Sequence, residues 1–269
     1  MAGNHTAKLK ASRISLQSLP FFDHTYATSS CGYTWGCFGR DAGGTDVVEG
    51  IGDSFVAECL SYPRNGAIEY AGLTYLVHGV CHQATNRIID PAGLSLDSSV
   101  GGYRVSLLRF GRYGLSAWKN RYTCYKRNTS SPPARSSFAG GLRNQSKRPS
   151  ALEQRQILDM PDSVDAAMQD MFGSTRDLWK DERVIGELRE VVTRSLHAQE
   201  MLAHGFERNL IGPREFQDLA QSEHRACLIK IKTIIGESYF FEVFGSEGDA
   251  PELVADPEPF FKELSKVAP

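Results

Sequence analysis

The chain has 269 residues, 41% of them hydrophobic and 23% charged, and its 30 Lys and Arg against 32 Asp and Glu leave a formal net charge of −2. This is a globular composition with material for two ordinary domains, and its near-neutral balance argues against nucleic acid or an acidic membrane surface as a partner. No apolar run approaches the roughly 18 residues of a membrane span, and the first residues, with Lys8, Lys10 and Arg13, lack the apolar block of a secretory leader. A cytoplasmic protein without a membrane span is therefore expected, its cysteines at 31, 37, 59, 81, 124 and 227 being free thiols.

Residues 1–125 are rich in glycine, aromatics and short apolar runs, and predict an α+β domain. Phe21 to Thr28 reads as a strand, Asp53 to Leu60 as a helix, Leu73 to Val77 as a strand and Tyr103 to Phe110 as another strand. Between the last two strands a helix is expected from Cys81 to the breaker Pro91. The glycine pairs at 43–44 and 101–102 lack the spacing and the following Lys-Ser/Thr of a phosphate loop, so no nucleotide is indicated. Residues 126–150 carry six Lys or Arg and no Asp or Glu among Ser, Pro, Gly and Asn, which reads as a basic flexible linker.

Residues 151–269 predict a small helical bundle. Ser150 with Glu153 has capping-box spacing for a short helix ended by Pro161, and Asp162 caps a second that stops near Gly173. A long helix is expected from Ser174 and Asp177 to Gly205, with Leu188, Val192 and Leu196 on its apolar face, and another from Pro213 to Gly236. Two aromatic segments, Tyr239 to Phe244 and Pro259 to Leu264, then pack across the pair. The helices offer a surface for a protein partner.

The segment from Tyr75 to Arg87 runs strand, glycine turn, cysteine, helix. A cysteine at a helix start meets unpaired N–H groups and the positive end of the helix dipole, both of which favour the thiolate and can steady an oxyanion. Such a thiolate needs a histidine as general base and acid. His197, His204 and His224 fall in the helical half, whereas His24 lies upstream in a strand; His78 and His82 flank the cysteine and are the other choices. Gln83, Asn86 and Arg87 either line the site or cap and stabilise the helix. Tyr33, Trp35 and Phe38 read as pocket walls or as packing aromatics.

The order His24 then Cys81, in a strand and at a helix start, resembles the circularly permuted papain-like enzymes of the lecithin-retinol acyltransferase group. The resemblance implies a papain-like domain with Cys81 as nucleophile and His24 as base; by their positions, His82, Gln83 and Asn86 at the helix start and the aromatics Tyr33 and Trp35 are then expected beside the substrate. It implies a thiol-dependent hydrolase or acyltransferase acting on an amide, peptide or thioester bond, with a peptide, amide or acyl substrate and no cofactor. The family's third polar residue, which lies between the two in sequence, has only Asp46, Glu49 and Glu69 as undistinguished candidates.

A non-enzymatic ligand- or metal-binding protein with a helical assembly domain is the alternative. His78, Cys81 and His82 with Cys31 and Cys37 would make a zinc set, although five residues separate the last two cysteines where knuckles use two to four. His197, Glu200 and His204 share a helix face, with Glu223 and His224 on the next helix, and read best as a solvated polar face.

Overall fold

The computed structural model describes residues 6–15, 23–36, 43–61, 69–71, 73–115, 161–173, 175, 177–245 and 248. The linker at 126–150, the helix expected after Ser150, the segment Pro259 to Leu264, and Cys37, Phe38 and Cys124 lie outside them. The architecture is α+β.

A four-stranded antiparallel sheet has the order β3-β2-β1-β4, formed by β1 (Thr6–Ser15), β2 (Asp23–Ser29), β3 (Thr34–Trp35) and β4 (Thr45–Asp53). In β1, Ala7, Leu9 and Ala11 are buried while Thr6 and Lys8 face solvent, the period-two signature of a strand with one covered face. That strand and β4 were not expected from the sequence. Helix α1 (Ser54–Ser61) follows β4, and the carboxylate of Asp53 accepts from the Phe55 and Val56 amides at 2.9 and 3.1 Å. The expected strand from Leu73 contracts to a two-residue ladder, β5 (Glu69–Tyr70) with β6 (Leu73–Thr74), before a tight turn in which the Leu76 amide donates to Gly79 O at 2.8 Å.

Helix α2 (Cys81–Ile89) begins and ends as its sequence suggests, and every one of its residues is buried. Three of them, Gln83, Asn86 and Arg87, bind the surrounding loops through their side chains. Asn86 Nδ2 donates to Tyr103 OH at 2.9 Å and Arg112 O at 2.8 Å, and its Oδ1 accepts from Leu96 N at 2.7 Å. Arg87 donates to Tyr113 O at 2.5 Å and Ala71 O at 2.9 Å.

Residues Tyr103–Phe110 form a helix, α3, and not the expected strand. Gly102 and Gly111 bracket it with φ of +75° and +71°, conformations that stop a strand and set a helix start and end. Its alternating look came from burial on all sides: Tyr103, Val105, Leu107, Leu108 and Phe110 are in the core, and so are Ser106 and Arg109.

The remaining helices are α4 (Pro161–Phe172), α5 (Glu182–Glu207) and α6 (Pro213–Phe244). Pro161 opens α4, one residue ahead of the expected cap at Asp162, and the helix stops before Gly173 as expected. The cap of α5 is Asp181, whose side chain accepts from the Arg183 and Val184 amides at 3.0 and 3.1 Å, and not Ser174 or Asp177. A short 3-10 turn, Leu178–Lys180, occupies the place of the expected first turn. Helix α6 kinks at Gly236 (φ +79°), so the aromatic segment Tyr239 to Phe244 continues it in a new direction. Phe206 meets Phe216 at 5.2 Å and Gln199 reaches Ala220 O at 2.9 Å, so α5 and α6 form an antiparallel pair. Helix α3 packs against α4, α5 and α6, and one apolar cluster runs from the sheet into these helices.

Two substitutions rank these contacts. Asn86→Ala leaves a buried amide and carbonyl unpaired and is expected to cost about 3 kcal/mol or more, whereas Asp181→Ala removes one exposed cap for about 1 kcal/mol. Urea denaturation with an unchanged slope checks both, and equal midpoints would refute the ranking.

Candidate active site

Strand β3 pairs only Ala27 and Thr28, so the edge of β2 alongside Asp23 to Tyr26 has no strand partner among the described residues. Its peptide groups are taken up by other elements. The Asp23 amide donates to Gly101 O at 3.1 Å, while Asp23 O faces His82 Nε2 at 3.2 Å and Cys81 Sγ at 3.9 Å. The start of α2 is thereby set against the strand that carries His24.

Cys81 and His24, far apart in the chain, come together there. The His24 imidazole is close enough to hydrogen-bond the Cys81 thiol and to act on its charge. Burial pushes the thiol up, but the bond to His24, the imidazole's charge and bonds from the backbone and side chain of Thr25 outweigh it and hold Cys81 below the ordinary thiol range. Thr25 is itself placed by Thr85, whose hydroxyl donates to its Oγ1 at 3.1 Å, leaving the Thr25 proton for the sulfur. The two principal groups are 6% and 7% exposed.

Val80, the residue before α2, has no side-chain acceptor, and its own amide donates to Gln83 Oε1 at 3.1 Å. The amides of Cys81 and His82 donate no hydrogen bond to the described residues. They are the donors available to an oxyanion formed at the sulfur.

His82 is not a second base. Its Nε2–H donates to Asp23 O at 3.2 Å, so the neutral ring accepts at Nδ1 from the Ser106 hydroxyl at 2.8 Å, which also lies 2.9 Å from Tyr103 O. Burial lowers its pKa to about 4, with the charge of His24 adding to the effect, so it is neutral at physiological pH. Gln83 Nε2 donates to Gly111 O at 3.0 Å and to Ser106 Oγ at 3.3 Å. His82, Gln83 and Asn86 thus all hydrogen-bond within the protein, which is the capping and supporting arrangement that the sequence offered beside the lining of a site.

His78 points away from the cysteine. Its Nδ1 accepts from the Thr74 amide at 3.2 Å and its Nε2 meets Glu207 Oε1 at 2.9 Å, so the turn before Cys81 is tied to the end of α5. Glu207 also contacts His204 Nδ1 at 3.4 Å, which raises the His204 pKa. Trp35 is buried and donates to Glu58, while Tyr33, 49% exposed, stacks on it with ring centroids 5.8 Å apart. Asp46 and Glu49 are engaged by lysines: Asp46 by Lys10 at 2.6 Å and Ser12 at 2.8 Å, Glu49 by Lys8 at 3.1 Å. Neither is in place to orient His24, and the side chain of Glu69 lies outside the described residues.

No three His, Cys, Asp or Glu among the described residues form a metal-holding group. The polar face expected on α5 and α6 is also not solvated as a whole: His197 is exposed, but Glu200 and His224 are buried at 2% and 1% exposure. Thr25 and Ser106 escaped the sequence reading, the first because a strand threonine carries no signature and the second because α3 was read as a strand.

His82 and His224 give the fold an acid limit. Burial lowers their pKa values to about 4 and about 3, the Arg109 charge adding to the effect on His224. The unfolded chain takes up both protons near 6.5, well above the folded one, so their contribution is complete above that pH and is lost as pH falls towards 4. Chemical denaturation across pH 7 to 4 should show that decline, and His224→Leu should lower its slope by about one proton; an unchanged slope would count against it. No family model, curated protein or solved structure matches this chain.

Proposed function

We propose that the protein is a thiol-dependent hydrolase or acyltransferase with a papain-like arrangement, Cys81 being the nucleophile and His24 the general base and acid. The observation that carries this reading is the meeting of His24, on β2, with Cys81 at the first position of α2, together with the lowered thiol pKa. Hydrogen bonds from Thr25 favour the charged sulfur before any substrate arrives.

In this reading the Cys81 thiolate adds to the carbonyl carbon of an amide, peptide or thioester, and the carbonyl electron pair moves onto oxygen opposite the Cys81 and His82 amides. Collapse expels the amine or thiol, which takes its proton from the His24 imidazolium, and leaves an S-acyl enzyme. Neutral His24 then removes a proton from water or from an acceptor as that oxygen or nitrogen attacks the thioester. Hydrolysis or acyl transfer results, and the thiolate is restored. Tyr33, exposed beside Trp35, is the pocket wall that remains available to a substrate.

The competing reading, a non-enzymatic assembly protein, draws on the apolar Ile229 and Phe241 of α6, which are 61% and 63% exposed and so offered to a partner. The two are separated by chemistry at Cys81.

Iodoacetamide alkylation of Cys81, followed by peptide mass mapping, should show a midpoint below the ordinary value near 8.5, and His24→Asn should raise it by about 1 to 3 pH units. A panel of activated acyl esters and thioesters should leave an acyl adduct on Cys81 that hydroxylamine removes, with Cys81→Ser inactive and His24→Asn slowed about 10²- to 10⁴-fold. An ordinary midpoint unaffected by His24, with no adduct, would sink the enzyme reading and favour assembly.

A further inference from the structure

Helix α3 carries a buried cation that nothing among the described residues neutralises. Arg109 is 1% exposed, and its Nε and Nη2 have no hydrogen-bond partner. It forms no ion pair among the described residues, and burial is the influence that acts on it, lowering its pKa to about 10 and leaving it cationic at neutral pH. Its Cζ lies over the ring of Phe110, 5.0 Å from the centroid, a cation–π contact that uses none of the guanidinium N–H groups as hydrogen-bond donors. A lone guanidinium held out of water is a costly arrangement unless an anion completes it.

The surroundings contain further unused polar atoms. His224 of α6 is 1% exposed with neither ring nitrogen partnered, and it feels the Arg109 charge. Ser195 of α5, also 1% exposed, is turned to the Cys227 thiol, which it holds down against the raising effect of burial. The end of α3 adjoins this stretch of α5, since a Cβ placed on Gly111 would meet Leu196 at 4.0 Å. Apolar side chains of α5 and α6, Val192, Leu196, Leu228 and Ile231, are buried.

We infer that the junction of α3, α5 and α6 is a binding site for a small carboxylic acid, its carboxylate held side-on by Nε–H and Nη2–H of Arg109. Those two N–H groups are the parallel pair of the guanidinium edge, and their spacing matches the two oxygens of one carboxylate. His224 supplies a further donor for a remaining lone pair. Charge selects the carboxylate over a phosphate dianion. His224 stays neutral, so one negative charge balances Arg109, whereas a dianion would leave a buried excess. The apolar lining suits a short hydrocarbon substituent. The site is separate from Cys81 and does not rest on the catalytic reading.

Thermal unfolding of the full chain, at constant ionic strength, tests this with sodium acetate, butyrate and octanoate against sodium chloride and inorganic phosphate. The carboxylates should raise Tm saturably, chloride should not, and phosphate should do less than the best carboxylate. Arg109→Lys keeps the charge but loses the fork and should weaken the effect roughly tenfold; Arg109→Met should abolish it, and Cys81→Ser should retain it. Should Arg109→Met fail to fold, Arg109→Lys and His224→Gln carry the same comparison. The inference is overturned if no carboxylate stabilises the protein, if phosphate is the better ligand, if Arg109→Met keeps the shift, or if Arg109→Lys leaves it undiminished.

Discussion

The open edge of β2 between Asp23 and Tyr26 is the constraint on which the arrangement depends. A strand edge inside a protein presents amides and carbonyls that must find partners. Here β3 stops short, and the Gly101 carbonyl, the His82 ring and the Cys81 sulfur come to that edge instead. The same demand for satisfied peptide groups therefore fixes both the docking of α2 and the distance between sulfur and imidazole. If β3 ran the length of β2, the start of α2 would be excluded from it.

Helix α2 reverses the usual relation between polarity and burial. Gln83, Thr85, Asn86 and Arg87 are all inside, and none is a bare polar group in an apolar core, because each reaches a loop carbonyl, a loop amide or a neighbouring hydroxyl. The helix works as a hub to which the irregular segments around positions 71, 96 and 111–113 are attached. Segments of that kind supply little apolar surface of their own, so their order is inherited from the helix. The contrast with Arg109 is instructive: two buried arginines differ in that one is surrounded by carbonyl groups and the other by apolar side chains and unused donors.

What the sequence disclosed follows from which signals are local. The start of α2 at Cys81, the stop near Pro91 and the Pro213 start of α6 are set by neighbours in the chain, and they were legible. The α3 segment was not, because a helix buried on every side shows no polar face and so no 3.6-residue period; the glycines at 102 and 111 were the better guide. Strand β1 was passed over although its alternation of lysine with alanine and leucine was on view. At the site, the positions of Cys81 and His24 could be singled out from residue type and order. The roles of His82, Asp46 and Glu49 could not, since they depend on which of several possible partners folding brings near: Ser106 and Asp23 O for the first, lysines of β1 for the others.

The sulfur and the His82 ring are held largely through the main chain of β2, by Asp23 O and the Thr25 backbone, and main-chain groups are common to every residue except proline. Replacing a side chain along that strand leaves this part of the scaffold intact. Register is another matter. Strand β1 fixes it by pairing Ile14 with His24 and Arg13 with Thr25, and a slip of one residue exchanges the faces of β2 and carries the imidazole away from α2. Through this stretch the gene should accept substitutions far more readily than single-codon insertions or deletions.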